Sequence, residues 1–129
     1  MAAMGRAPTR LSHGERTRRE ILDVAVQLGA TEGLEGLTIG RLAEAVGLSK
    51  GGTYAHFGSK LALQLATVEA AQAQFLEEVV APALQHAPGV EQLRAFTDGY
   101  FAYLERRRET GGCFFTAAAL EFDDRPGEV

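Results

Sequence analysis

Between Val46 and Ser49 the chain reads Val-Gly-Leu-Ser, and this short stretch constrains the fold more than any other. Upstream, Ile39, Leu42, Ala43 and Val46 follow the i, i+3, i+4, i+7 spacing of an amphipathic helix. Thr38 stands where its hydroxyl accepts a backbone N–H and caps that helix. Gly47 is the residue type that tolerates a left-handed backbone and so stops it. Only Leu48 then remains before Ser49, a second capping residue. A second short helix follows at once, through about Phe57, and two helices joined by so tight a turn cross steeply. Gly58 ends the second helix and Ser59 caps a third.

The rest of the chain carries the same period. Ile21, Val24, Ala25 and Leu28 predict a helix from Glu15 to about Glu32, with Gly33 as its cap and Leu34–Leu37 as a connector. Lys60 to about Ala81 reads as one long helix ended by Pro82 and Pro88. Val90 to about Arg108 is the next, and Cys113–Phe122 is a short apolar one after the break at Gly111-Gly112. Asp123 or Asp124 looks like the cap of a further helix that opens as the chain stops. No segment has a strand period, so the expected class is all-α. The expected organisation is a polar flexible arm over 1–14, a three-helix head over 15–60, and a helical second part over 61–129.

Composition narrows the function. A chain of 129 residues with 46% apolar residues folds into about one domain with a real core. Its apolar stretches are short and broken by charge, so none spans a bilayer, and the start MAAMGRAPTR has no apolar run behind it to act as a secretion signal. The lone Cys113 excludes a disulfide within the chain or a multi-cysteine zinc site. A cytoplasmic setting fits these features, and no cofactor is implied. The net charge of −4 argues against nucleic acid until it is divided. Residues 1–60 carry eight Lys or Arg against six acids, whereas 61–129 carry five against eleven, so a basic front half precedes an acidic back half.

Within that front half, residues 38–57 have the helix-turn-helix arrangement, whose second helix enters the major groove of DNA. Ser49 and Lys50 stand at its N-terminus, where free N–H groups and the dipole favour a phosphate. Gly51 and Gly52 each cost about 1 kcal/mol in a helix interior, less in a first turn. They make sense if backbone lies close to a duplex. Thr53, Tyr54 and His56 offer hydrogen-bonding groups for base edges or phosphates, Phe57 is expected to pack inward, and Lys60 adds charge beside the next helix. Arg6 and Arg10 in the arm and Arg16, Arg18 and Arg19 at the first helix start are further candidates for phosphate, or simply solvated charges.

The succession S-K-G-x-x-Y-x-H-F-x-S-K, set in RREILDVAVQLGATEGLEGLTIGRLAEAVGLSKGGTYAHFGSKLAL, resembles the DNA-binding domain of the TetR/AcrR family of bacterial transcriptional regulators. QLATVEAA and GGCFFTAAALEFDDRPGEV resemble one branch of that family in its ligand-binding half. The resemblance implies that Thr38, Ser49, Lys50, Gly51, Tyr54, His56 and Lys60 match positions that contact operator DNA. Where Gly52 and Thr53 stand, members often carry a larger and an apolar residue, which makes Thr53 more plausible as a contact here. Ala55 replaces what is often a contact residue. The aromatics of the back half, Phe96, Tyr100, Phe101, Tyr103, Phe114 and Phe115, read mostly as core, but the resemblance also implies a small-molecule effector held there, with Phe96, Tyr100, Tyr103, Cys113 and Phe114 as candidate lining residues. It further implies a homodimer built by two C-terminal helices. This chain ends before them, so it is expected to be a truncated piece of a homodimeric repressor.

Other readings of the same residues are weaker. A purely structural hairpin over 38–57 explains little, because the polar second helix would bury little surface. His56 as a metal ligand lacks partners at ligand spacing in His13 and His86. Cys113 reads as a small buried side chain before it reads as a redox sensor. The alternative function is a helical interaction or ligand-binding module without DNA. An enzyme is not expected, because no carboxylate pair or nucleophile–base set has catalytic spacing.

Overall fold

The computed structural model describes residues 11–129, and every regular element among them is helical. In chain order these are α1 (His13–Glu32), α2 (Ile39–Val46), α3 (Lys50–Phe57), α4 (Lys60–Phe75), a π-helical turn (Leu76–Val80), α5 (Ala81–Ala83), α6 (Val90–Arg106), a 3-10 turn (Arg108–Thr110) and α7 (Phe114–Phe122). The expected all-α class is the observed one. Of the expected arm, residues 1–10, Arg6 and Arg10 with them, lie outside the described residues.

α1 begins two residues before the expected start. Ser12 accepts from the Glu15 N–H on its hydroxyl while the Glu15 carboxylate accepts from the Ser12 N–H, a reciprocal capping box. The α2–α3 junction forms as the residues predict. Thr38 caps α2 through the Arg41 N–H, Gly47 leaves it at φ 69°, and Ser49 caps α3 through the Gly52 N–H. Gly58 closes α3 at φ 78°, and Ser59 opens α4 through the Ala62 N–H.

The core runs without a break from α1 to α7. Ile21, Ala25 and Val26 of α1 meet Ile39 and Leu42 of α2, Phe57 of α3, Leu63 and Ala66 of α4, and Phe114 of α7. Leu34 and Leu37, in the stretch that reads only as a connector, are fully buried in the same cluster. Their burial pins the α1–α2 turn to the core. α7 lies close on α1 because glycines permit it. An added Cβ at Gly29 would sit 2.8 Å from the Phe114 ring, and one at Gly111, where φ is 94°, would sit 2.7 Å from the Ala30 carbonyl.

Two expectations change here. The helix from Lys60 does not stop at Pro82; it widens into the π turn just before it. Within that turn the Ala81 N–H reaches back to the Leu76 carbonyl, which relieves the clash that the Pro82 ring would make with the carbonyl four residues earlier. At the other end, residues 123–129 form a turn and irregular chain rather than the start of another helix.

Candidate nucleic-acid interface

α3 has a buried side and an exposed side. Thr53 and Phe57, four residues apart, face the core at 0% and 9% exposure. On the other side, Lys50, Gly51, Gly52, Tyr54 and Ala55 are exposed, Tyr54 at 53%. Thr38, Ser49 and Lys60 are exposed as well, and His56 is half-buried. Nothing lies within 4 Å of where a Cβ would stand on Gly51, so that stretch of backbone faces open space.

Thr53 is the correction. Its hydroxyl donates to the Ser49 carbonyl at 3.0 Å and its methyl is enclosed, so it presents nothing to a partner. The i, i+4 spacing of Thr53 and Phe57 is the signal in the residues for a buried side. Ser49 is also committed: its hydroxyl accepts from Gly52 at 3.0 Å, which leaves its exposed oxygen a capping role first. Lys60 lies 3.4 Å from Glu35, a surface pair of small energetic weight that leaves the ammonium accessible.

The arginines of α1 divide. Arg18 is structural: its guanidinium lies 4.6 Å from the Phe57 ring centre and donates to the His56 carbonyl, closing the C-terminus of α3. Arg41 in α2 is likewise engaged, paired with Glu32 at 2.5 Å and 2.9 Å. Arg16 stays exposed, and Arg19, also exposed, lies 4.0 Å from Glu77.

The five candidate effector residues do not form one site. Phe96, Tyr100 and Cys113 line an apolar groove with Phe75, Phe115 and Leu120, of about 680 Å³. Tyr103 and Phe114 are instead buried at 0% and 1%, and line a separate, charged cleft between α1, α4 and α6. There the Arg107 guanidinium covers the Tyr103 ring at 3.9 Å and, with Arg106, binds Glu78. Burial raises the Tyr103 phenol above its usual range, and its hydroxyl has no hydrogen-bond partner among the described residues. Glu78, held mainly by the Arg107 hydrogen bond, is lowered to about 2. Arg106 and Arg107 thus bind Glu78 across the cleft, whereas Arg108 lies near Glu105 on the surface.

One residue of consequence is absent from the expectations. Glu121, on α7, accepts the Leu34 N–H at 2.7 Å and the Glu35 N–H at 2.8 Å. No sequence pattern announces a side chain bound to backbone some 87 residues away.

No helix among the described residues is long and apolar enough to cross a membrane. Comparison with known proteins matches the two halves separately. Residues 21–67 match the family model described as bacterial regulatory proteins, tetR family, and residues 89–129 match the tetracyclin repressor-like C-terminal domain. The chain is 43% identical over 63 residues to the HTH-type transcriptional repressor AcnR of Corynebacterium efficiens, and equally so to AcnR of Corynebacterium glutamicum. It is 39% identical over 46 residues to the HTH-type transcriptional regulator AcrR of Shigella flexneri. The AcnR matches cover 49% of this chain and 34% of each repressor, and the AcrR match covers 36% and 21%. The chain thus spans about a third or less of the length of the curated relatives it matches. With both halves matched by models of one family, the chain belongs to the TetR family of bacterial regulators.

Proposed function

We propose that this chain binds operator DNA through α3 and serves as a transcriptional repressor. The observation that carries the reading is the sidedness of α3. Its buried side is fixed by Thr53, Phe57 and the Arg18 clamp, while Lys50, Gly51, Gly52 and Tyr54 form a rigid, exposed, hydrogen-bonding side. A helix so held fits the major groove. In this reading Lys50 and the N–H groups at the start of α3 take a phosphate, and Tyr54 and His56 take phosphate or base edges. Thr38 and Lys60 flank the groove on the backbone. Two of the similar proteins are named as transcriptional repressors.

The regulatory half of the proposal rests on the apolar groove. Phe75, Phe96, Phe115 and Leu120 with the polar edges of Tyr100, Cys113 and Thr116 suit a largely apolar small molecule. Such an effector releases the repressor only if it prefers the state that does not bind DNA. A homodimer in the cytoplasm, with two heads on half-sites of a near-palindrome, completes the reading.

Selection of bound sequences from a random duplex pool tests it. The expected result is enrichment of one short motif, arranged as inverted repeats when the protein is dimeric. A pool that stays random over successive rounds contradicts DNA reading and favours a helical interaction module.

A further inference from the structure

We infer that Glu121 is a positioning residue for the DNA-binding head, a strut that passes the position of α7 to α2 and α3. Three observations carry this. Both Glu121 carboxylate oxygens are used, one on the Leu34 N–H at 2.7 Å and the other on the Glu35 N–H at 2.8 Å. The same short connector is held from α4, where the Gln64 amide donates to the Leu34 carbonyl at 3.0 Å. Gly33 leaves room for the carboxylate, since a Cβ there would stand 3.1 Å from it. The connector leads directly into Thr38, the cap of α2.

α7 carries the strut near its C-terminal end and one wall of the apolar groove on another side. Phe115, Thr116, Ala119 and Leu120 belong to that wall, with Cys113 at the N-cap of α7. A molecule that displaces α7 from the groove side therefore pulls on Leu34 and Glu35. A charge-assisted pair of bonds is stiff enough to transmit that displacement where a side-chain contact alone would slip. This inference rests on the groove being the effector site. The strut gives that site a physical route to α3.

The test fills the groove by substitution and reads α3 by amide NMR. Ala119→Trp places an indole on the groove wall, and backbone amide shifts of residues 50–57 report the head. The set is repeated in a Glu121→Gln background, where one N–H of the pair meets an amide NH₂ instead of an acceptor. The expected result is that groove filling shifts the α3 amides in the wild-type background and shifts them at least about threefold less in the Glu121→Gln background. Melting temperatures of the single variants serve as the control for a merely structural role, which would change stability without changing this coupling. Equal shifts in both backgrounds, or none in either, overturn the strut. If Ala119→Trp fails to fold, Thr116→Phe fills the same groove. Because the readout uses the free chain, failure to bind duplex DNA would sink the functional reading and leave this result standing.

Discussion

The guanidinium of Arg18 lies 4.6 Å from the centre of the Phe57 ring, so α1 grips the last residue of α3. Arg18 also donates to the His56 carbonyl, one of the groups that a helix C-terminus leaves unpaired. Arg18→Ala is expected to cost about 1–2 kcal/mol of stability. Arg18→Lys should recover only part of it, because an ammonium cannot stack on the ring and donate from a planar fork together. Thermal unfolding of the three proteins checks this; equal melting temperatures would remove Arg18 from the support of α3.

Opposite exposed Tyr54, Thr53 marks the buried side of α3. Its hydroxyl bonds back to Ser49, whose carbonyl also receives the Thr53 N–H at 3.0 Å. Valine fills the same volume and leaves that backbone bond intact. Thr53→Val is therefore expected to change stability by no more than about 1 kcal/mol. Duplex affinity should stay within about twofold, since no base contact is lost. A loss of discrimination at one base pair would show that the hydroxyl reaches DNA after all.

Much of this architecture is legible in the residues, and what escapes a reading of them has physical causes. Thr38, Gly47, Ser49, Gly58 and Ser59 act through bonds within three or four residues, so their types place the turns and caps of the head. The Ser12–Glu15 capping box is equally local and is readable from residue types, although apolar periodicity alone starts α1 at Glu15. Thr53 is harder to place, because an eight-residue helix with two glycines has a weak apolar stripe. The rotation of α3 is instead set by Phe57 in the core and by Arg18 over its ring. The family resemblance alone groups Tyr103 and Phe114 with Phe96 and Tyr100. Which aromatic faces a groove and which fills the core depends on how α6 and α7 dock, and that is fixed by Gly29 and Gly111 against distant partners.

Glu78 gives the back half a signature at low pH. Its carboxyl is held down to about 2 from an ordinary 4.5, chiefly by the hydrogen bond from Arg107. A carboxylate with a depressed value in the fold stabilises at pH above its unfolded value, and that contribution is lost as pH falls through the folded one. Glu78→Gln is therefore expected to lower the melting temperature at neutral pH, with the difference from wild type shrinking below about pH 4.5 and closing near pH 2. The melting difference measured across that range checks it. A difference that does not depend on pH would mean that Glu78 acts by packing rather than by its charge.

The exposed side of α3 carries the proposed function, and titration of a selected duplex at a series of salt concentrations tests it most directly. Wild-type chain is expected to bind with an affinity that falls steeply with salt. Lys50→Ala should lower the slope by about one phosphate contact. Tyr54→Ala, which removes the one large exposed hydrophobic side chain of α3, should weaken binding by at least about tenfold with the fold intact. Wild-type affinity in both variants, or binding indifferent to salt, would contradict the assignment of α3 as the surface that reads DNA.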